Sequence, residues 1–468
     1  MKRFVVCALS FIAAAALTGC SLAPRYETPA FPVEQQWPSD ASASDETGAI
    51  ASELEWKAFF LDPTLQRLIE DALEHNRDLR VAALNIERAR AQYGIQRADL
   101  LPGISASGAH TSRRVAEELS SRGTSYVGRQ YTVDAGIIGY EIDFFGRVRN
   151  LSEAALETYL ATEEAKKSAQ ISLVSQVATA YLGLVADREL LGVAKNTLAS
   201  QQATYTMIKR RHEEGVSSEL DLWRAETTVD TARADIARYT AQVAEDLNAL
   251  SVLVGRTVRS EDIPASSLAE MAAFPQIQAG LPSTVLLGRP DIVRQEHLLK
   301  AANANIGAAR ANFFPSISLT ATLGRGSVEL DHLFEGGGRT WAFSPSISLP
   351  IFTMGRNISR LRMSEADQKI AVANYEKAIQ QAFREVANAL TLRTHLEERL
   401  AAQKALLKAS TEAYRLSDAR YARGVDSYLS VLDAQRSMYS AQQAAVTVSL
   451  LRDVNLVELY KVLGGGLK

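Results

Sequence analysis

Histidines, cysteines and glycine-rich loops often carry chemistry in proteins, but their spacing in this chain indicates no catalytic centre. The chain has 468 residues and six histidines, none of which belongs to an HExxH or comparable metal-ligand motif. They are His75, His110, His212, His297, His332 and His395. The glycine run Gly464 to Gly466 follows a helical pattern, so it predicts a helix cap rather than a phosphate loop. We therefore expect no enzyme, no metal and no cofactor other than a covalent lipid.

That lipid is expected on Cys20. An apolar stretch, Phe4 to Leu17, leads into Leu17-Thr18-Gly19-Cys20, which resembles the bacterial lipoprotein signal. Residues 1–19 would then be a removed signal peptide and Cys20 the lipidated first residue of the mature chain. An ordinary signal peptide with a chance cysteine is the alternative. Ser21 stands where similar lipoproteins kept in the inner membrane have Asp, so we expect delivery to the outer membrane.

The composition fits a large folded protein without disulfides. Cys7 lies in the removed segment, which leaves no second cysteine to pair with Cys20. Hydrophobic residues make up 47% and charged residues 22% of the chain, and a net charge of −3 argues against nucleic-acid binding. We find no continuous run of 18 apolar residues after the signal. A mature chain that crosses a membrane should therefore do so with strands.

The chain contains an internal duplication. Residues 76–105 match residues 289–318 at a constant offset of 213, with identities such as Gly94 and Gly307. Beyond Gly146 the offset becomes 209, as in Gly146 and Gly355, or Gly215 and Gly424. Four residues are thus lost between Pro102 and Gly146, where we expect an exposed loop.

Each copy should contain two strands and long helices. Residues 103–145 and 315–352 alternate polar and apolar side chains, with polar loops at Arg113 to Arg129 and at Arg325 to Arg339. Trp341, Phe343, Ile347, Leu349 and Ile351 place the apolar face on the second returning strand. Such alternation suits a barrel wall between water and lipid, although a soluble sandwich hairpin shares it.

The remaining segments predict helices without internal proline. In the first copy they cover about 63–101 (with a possible break near Asn76), 146–214 and 218–254; in the second, about 288–313, 356–422 and 427–463. The 69-residue interval from Gly146 to Gly215 would form a helix of about 100 Å at ~1.5 Å per residue. The domains predicted are a tether over 20–55, a first repeat over 56–260 and a second over 261–468. A coiled-coil rod of purely structural use is the alternative.

Four strands per chain cannot close a transmembrane barrel, because open edges in lipid leave backbone groups unpaired. Copies of the chain should therefore share one barrel. A dimer would supply eight strands and a nearly filled interior, whereas a trimer would supply twelve and a water-filled bore.

Several long motifs resemble the TolC-like outer-membrane factors, and among them the OprM-like lipoproteins that serve RND drug pumps. The resemblance runs from Cys20 to the end of the chain. The motifs are EIDFFGRVR (Glu141 to Arg149), GRPDI (Gly288 to Ile292), ANIGAARANFFPSISLT (Ala304 to Thr320), LPIF (Leu349 to Phe352) and YARGVDSYLSVLDAQRS (Tyr421 to Ser437). The resemblance implies a homotrimer with a twelve-stranded β-barrel in the outer membrane and a periplasmic α-barrel. It also implies a periplasmic adaptor and an inner-membrane RND transporter as partners.

The resemblance places a gate at the far end of the long helices. Leu429 and Asp433 fall on the rings that close similar channels, while Asp221 and Tyr421 fall on latch positions. Asp426 stands where some relatives have a latching Arg, and Ser430 where some have a further Asp. An adaptor would dock at the tips, which are Gly215 with Val216 and Gly424 with Val425. We expect a passive drug-efflux duct; a type I secretion channel or a structural periplasmic lipoprotein are the alternatives.

Overall fold

The computed structural model describes residues 21–37, 48–121, 123–264, 267–271, 274–278 and 282–467. The predicted signal peptide and Cys20 lie outside these residues. The first repeat contains α1 (Trp56–Phe59), α2 (Pro63–His75), α3 (Arg77–Ala98), β1 (Ile104–Val115), β2 (Tyr126–Ile142), α4 (Arg147–Glu213) and α5 (Glu219–Val254). The second contains α6 (Pro290–Ala311), β3 (Ser316–Ser327), β4 (Arg339–Ser348), α7 (Arg356–Ala422) and α8 (Tyr428–Val462).

The duplication is confirmed by the bounds of these elements. The helices α3 and α6 have equal lengths and start 213 residues apart, while α4 and α7 are both 67 residues long and start 209 apart. Glycines with positive φ recur at the second offset, as Gly146 and Gly355, Gly215 and Gly424, and Gly255 and Gly464. Glycine is favoured there because a left-handed backbone crowds a Cβ atom.

The strands form one antiparallel sheet in the order β1-β2-β3-β4. Ser105 pairs with Gly136, 31 residues further on, whereas the equivalent Ser318 pairs with Ser346, 28 further on. Three of the four missing residues therefore lie within the hairpin. The fourth corresponds to a bulge in β2, where the register with β3 shifts between Ile137 and Tyr140 and Gly139 has φ 67°.

The strand ends differ from the sequence prediction. The loops are shorter than Arg113 to Arg129 and Arg325 to Arg339, because the ladder continues to Val115 and Tyr126 in the first hairpin and past Arg325 to Ser327 in β3. Polar side chains do not prevent pairing on an exposed ladder. On the returning side β4 stops at Ser348, so Leu349 and Ile351 are not part of it. Pro350 follows at once and has no N–H to donate to a ladder.

Side chains within the EIDFFGRVR motif stabilise the junction between strand β2 and helix α4. Arg147 donates two hydrogen bonds to the carboxylate of Glu141, at 2.8 and 2.5 Å. Arg149 donates to Asp143 through its backbone N–H at 2.9 Å and its side chain at 3.3 Å. Each arginine in the first turn of α4 is thus tied to an acidic residue at the end of β2.

The chain divides into two compact units, each built from parts of both repeats. One comprises the described residues up to Ala30 with Asn85–Glu163 and Arg294–Glu376, and it contains the sheet. Here the first residues after the predicted lipid site are held by side chains of α4 and α6. Ser21 donates to Asn150 at 2.8 Å, Arg310 donates to the carbonyl of Leu22 at 3.2 Å, and Asn303 donates to that of Pro24 at 2.8 Å. This part of the predicted tether is therefore seated on helices.

The other unit comprises Phe31–Leu84, Glu164–Val293 and Lys377–Lys468. Its aromatic core stacks Phe59 on Tyr460 with ring centroids 4.0 Å apart. The GRPDI motif contributes Arg289, which donates to the carbonyl of Val462 at 2.9 Å and to Asp291 at 2.7 Å. This arginine therefore ties the start of α6 to the end of α8.

The predicted break near Asn76 is confirmed, and its cause is a buried cap. The Asn76 side chain accepts from the N–H of Leu79 at 2.9 Å and donates to the carbonyl of Leu253 at 2.8 Å. Asp62 caps α2 by accepting from the N–H of Leu65 at 2.8 Å, and Pro63 is the first helical residue, where the sequence predicts the helix to begin.

One described helix, α4, is apolar enough to cross a membrane by length and composition. It has an 18-residue window of mean hydropathy 1.4, of which 61% is buried inside the protein. Every 18-residue window of α4 contains polar residues, so the sequence observation that no continuous run of 18 apolar residues follows the signal stands. A buried core helix passes the same test.

A pair of carboxyl groups joins α4 to α5. Asp187 lies against Asp246, whose Oδ2 is buried and has no hydrogen-bond donor among the described residues. Burial, together with the hydrogen bond to Asp246, raises the pKa of Asp187 from 3.8 to about 7, while Arg238 opposes the shift. Two adjacent carboxyl groups that are partly buried avoid double ionisation by sharing a proton.

We expect Gly255→Ala to destabilise the protein by more than the ~1 kcal/mol that a left-handed alanine costs. A Cβ at Gly255 would collide with the backbone carbonyl of His75, whereas at the equivalent Gly464 the nearest contact is Ser52 at 3.8 Å. In detergent, the thermal unfolding midpoint of Gly255→Ala should be lower than that of Gly464→Ala. Equal midpoints would show that the contact with His75 is unimportant.

We also expect the free energy of unfolding to decrease as the pH rises from about 4 to 7. The raised pKa of Asp187 lets the folded protein bind more protons than the unfolded chain in this window. Asp187→Asn should flatten this slope and stabilise the protein at pH 8 by about 1–2 kcal/mol, a figure reduced because the pair is partly exposed. The control is Asp230→Asn, an exposed carboxylate on α5. If the free energy of unfolding changes equally between pH 5 and pH 8 in the wild type and both variants, the two carboxyl groups do not share a proton.

Candidate functional site

The two turns that end the long helices have the same backbone design. After α4, the N–H of Gly215 donates to the carbonyl of His212 at 2.9 Å, and that of Val216 to Arg211 at 2.7 Å. After α7, Gly424 donates to Tyr421 at 2.9 Å and Val425 to Arg420 at 3.0 Å. Both glycines have φ 74°. This Schellman motif caps the last carbonyls of each helix and starts a tight return.

The two helical hairpins are packed together just behind these turns. Five buried residues form one cluster that draws on α4, α5 and α8. They are Ile208, Ala225, Tyr428, Val431 and Leu432, and Tyr205, Leu222, Tyr414 and Tyr421 pack against them. Burial raises the pKa of Tyr428 to about 12, with smaller effects from Tyr421 and Asp221. Its hydroxyl has no hydrogen-bond partner within the part of the chain that the structure describes.

Equivalent arginines in the two turns bind different groups. Arg420 makes two hydrogen bonds to the carboxylate of Asp426 in its own turn, at 2.6 and 3.1 Å. The Arg420 guanidinium lowers the pKa of Asp426, so the carboxylate is ionised at neutral pH. The first copy has Ser217 in place of Asp426, and Arg211 instead donates to the hydroxyl of Tyr421 at 2.8 Å. The guanidinium carbon of Arg211 also lies 5.3 Å from the centre of the Tyr421 ring.

Asp221 acts at its own helix terminus in this structure. Its backbone N–H donates to the Ser218 hydroxyl at 3.1 Å, and its carboxylate accepts from that hydroxyl at 2.7 Å. Arg224 lies 3.7 Å from the same carboxylate. Ser427, the equivalent residue before α8, makes no such side-chain bond. Ser430 stands where α5 has Asp221, so the carboxylate that completes the first cap is missing.

The predicted gate residues occupy the exposed face of α8. Leu429 is 42% exposed and Asp433 is exposed one turn later, whereas Val431, Leu432 and Gln435 on the other face are buried. In the first copy, the matching face of α5 presents Leu220, which is 57% exposed, and Arg224. A leucine and an acidic residue are thus free to meet other copies, and their role as a gate stays a prediction.

The structure brings Tyr421 into contact with the other hairpin, but through Arg211 rather than through Asp221. Sequence reasoning missed Arg211. The aligned repeats hold a signal for it, since Arg211 matches Arg420 while its turn lacks a match for Asp426.

One group of residues could in principle hold a metal ion. Ligand atoms of Glu329, Asp331 and His332 in the β3–β4 loop lie within 4.8 Å of one another, but all three residues are exposed. His332 also lies 3.4 Å from Glu329 and 3.9 Å from Glu335, as expected for surface ion pairs. We assign no metal centre to them.

Comparison with known proteins identifies the family. The model of the outer membrane efflux protein family matches residues 68–256 and 281–465, one segment in each repeat. The toluene efflux pump outer membrane protein TtgC of Pseudomonas putida is 48% identical over 457 residues, covering 96% of this chain and 93% of that protein. A membrane protein from Pseudomonas aeruginosa has a similar structure, with a TM-score of 0.89 at 42% identity, over 95% of this chain and 100% of the other.

The open state of the MtrE outer membrane channel of Neisseria gonorrhoeae gives a TM-score of 0.86 at 41% identity, over 96% of this chain and 99% of the other. The resemblance drawn from the sequence motifs and the predicted location in the outer membrane are thus confirmed. The chain belongs to the outer membrane efflux protein family.

Proposed function

We propose that three copies of this chain form the outer-membrane exit duct of a tripartite efflux pump. The observation that carries the assembly is the open four-stranded sheet, in which β1 and β4 are outer strands with no further strand beside them among the described residues. Unpaired backbone groups in lipid cost several kcal/mol each. Three copies supply twelve strands, enough for a closed barrel with a water-filled bore.

The two faces of the sheet suit opposite solvents. On one face of β4, Trp341, Phe343 and Ile347 are 77%, 61% and 71% exposed in the single chain. On the other face, the hydroxyl groups of Ser318 and Ser346 are 2.7 Å apart. The apolar face would contact lipid and the hydroxyl face would line the bore.

The proposed lipid anchor follows the same arrangement. Ser21 is held by Asn150 in the first turn of α4, close to where β2 ends, so a lipid on the preceding Cys20 would enter the membrane beside the sheet. A single lipid-modified residue adds modest membrane affinity, and the barrel would dominate. The chain itself would need no catalytic cofactor.

We propose that exposed apolar residues in the two helix turns form the docking site for the adaptor. Val216 and Val425 are 66% and 61% exposed, each beside the glycine of its turn. Exposed apolar groups at the apex of a hairpin fit a protein partner. The adaptor would connect these tips to an inner-membrane RND transporter, which supplies the energy. Because TtgC is named for toluene efflux, we propose apolar organic solvents as cargo.

In the trimer, three Leu429 side chains would form an apolar constriction, and three Asp433 carboxylates would repel one another and attract cations. We expect the double variant Leu429→Ala with Asp433→Ala to raise single-channel conductance in planar bilayers severalfold. The matched control is Leu220→Ala with Arg224→Ala, at the equivalent positions of α5. Gate variants that conduct like the wild type would remove this gate assignment.

The contact between Arg211 and Tyr421 should help to keep the tip closed. Ser217→Asp supplies a carboxylate where the second copy has Asp426. Arg211 should then bind this carboxylate, as Arg420 binds Asp426, and leave Tyr421. We expect higher conductance and greater sensitivity of cells to large antibiotics, with Tyr421→Phe acting more weakly in the same direction.

Ser217→Asn is the control, since it has the same size and no charge. Suppose that Ser217→Asp leaves conductance unchanged while Leu429→Ala with Asp433→Ala raises it. That result would support the gate and contradict a role of the Arg211–Tyr421 contact in closing the tip. A chain that forms no conducting oligomer in bilayers would contradict the duct itself and favour a structural lipoprotein.

A further inference from the structure

The two junctions between strand and long helix differ in charge. At the first, the hydrogen bond from Arg147 to Glu141 raises the pKa of Arg147, and the charges of Glu141, Asp143 and Asp99 act in the same direction, against burial. The equivalent arginine at the start of α7 is Arg356. The residues equivalent to the three acidic ones are Pro350, Phe352 and Asn312. The second junction therefore lacks every carboxylate that stabilises the charge of Arg147.

A second arginine adds to the positive charge at the start of α7. Arg360 lies one helical turn after Arg356, where α4 has Leu151. Neither arginine side chain has a carboxylate or another hydrogen-bond partner among the described residues, and the first turn of α7 contains no acidic residue. The helix dipole disfavours positive charges at this end of a helix. An anion bound here would offset both effects.

Both arginines line one cavity of about 300 Å³. The wall of this cavity also contains Phe145 and Phe314, whose stacked rings have centroids 4.7 Å apart. Phe314 is 42% exposed, so part of the stack remains open to a ligand. The cavity thus combines two unpaired guanidinium groups with an aromatic surface, and its volume suits a small organic molecule.

The cavity lies on the hydroxyl face of the sheet. Glu141, in its wall, pairs with Ser318, whose hydroxyl oxygen is 2.7 Å from that of Ser346. Ser316 and Ser348 line the cavity as well, and each lies two residues along its strand from one of those serines, hence on the same face. In the proposed duct this face lines the bore, so passing molecules would reach the cavity.

We infer that this cavity is a cargo site for small aromatic carboxylic acids, in which Arg356 and Arg360 bind the carboxylate and Phe314 packs against the ring. This inference rests on the proposed duct and adds an anionic class of molecule to its cargo. Arginine binds carboxylates through paired hydrogen bonds, and aromatic rings stack with their faces offset. A site on a conducting path must also release its ligand, which suits a shallow site with exposed arginines.

Calorimetric titration of the full-length protein in detergent with benzoate tests this site. At low salt the wild type should bind benzoate at one site per chain. Arg356→Gln with Arg360→Gln should weaken binding by about tenfold or more, because hydrogen bonds between charged groups are lost. Phe314→Leu should weaken it severalfold. The matched control is Arg90→Gln with Arg362→Gln, which removes the same charge from exposed arginines outside the cavity and should bind benzoate like the wild type.

Three further probes separate the charge of the ligand from its ring. Cyclohexanecarboxylate has the charge without an aromatic ring, toluene has the ring without the charge, and inorganic phosphate is an anion without a ring. We expect each to bind more weakly than benzoate. Equal binding of cyclohexanecarboxylate would overturn the role of Phe314, equal binding of toluene would overturn that of the arginines, and equal binding of phosphate would overturn the class of ligand.

Planar bilayers show whether the site lies on the conducting path. Benzoate should reduce the single-channel current of the wild type and of the control variant, and its effect on Arg356→Gln with Arg360→Gln should be severalfold smaller. Benzoate that binds without changing the current would overturn the position of the site in the bore.

A conducting channel in which the arginine variant and the wild type bind benzoate equally would overturn the cargo site and leave the duct. A chain that forms no conducting oligomer would instead contradict the proposed function.

Discussion

Backbone hydrogen bonding at the sheet edges is the constraint on which the rest of the structure depends. A strand that faces lipid has no water to satisfy its N–H and C=O groups, so each edge must meet another strand. In this chain β1 and β4 are the edges, and the helices α3 and α7 are attached to them. Any neighbour that completes the sheet therefore also brings helices together. The rotation that relates one copy to the next must therefore satisfy the strand pairing and the helix packing at the same time.

The duplication makes differences between the repeats informative. Where the repeats agree, as at Gly215 and Gly424, the residue serves a backbone conformation needed twice. Where they differ, contacts differ too. Arg420 has Asp426 in its own turn, while Arg211 lacks such a partner and reaches Tyr421 on the other hairpin. The arginine beside a carboxylate at this position is bound within its own turn, and the arginine beside Ser217 is bound to the other hairpin.

The sequence predicts elements that depend on local rules and misses those that depend on packing. Helix α7 spans residues 356–422 as predicted, because glycine and proline mark its limits and alanine-rich periodicity fills it. The predicted ends of the strands were wrong, since Arg113 pairs with Gly128 and Arg129 with Ser112 in the β1–β2 ladder, although the polar residues suggested a loop. The contact of Arg211 with Tyr421 depends on how two hairpins pack, which no spacing along the chain encodes.

The N-terminal segment explains why a repeated surface need not cause mistaken association. Helices α3 and α6 share an alanine and a glycine, Ala91 with Ala304 and Gly94 with Gly307, so in the proposed trimer a helix of another copy would find the same small residues on both. On α6, however, α4 covers Ala304, and a Cβ on Gly307 would lie 2.7 Å from the backbone nitrogen of Ala23. Arg310 and Asn303 hold the same segment through the carbonyls of Leu22 and Pro24. Of these two helices, only α3 has its glycine uncovered by the residues that the structure describes, and one available surface per copy is what a closed ring requires.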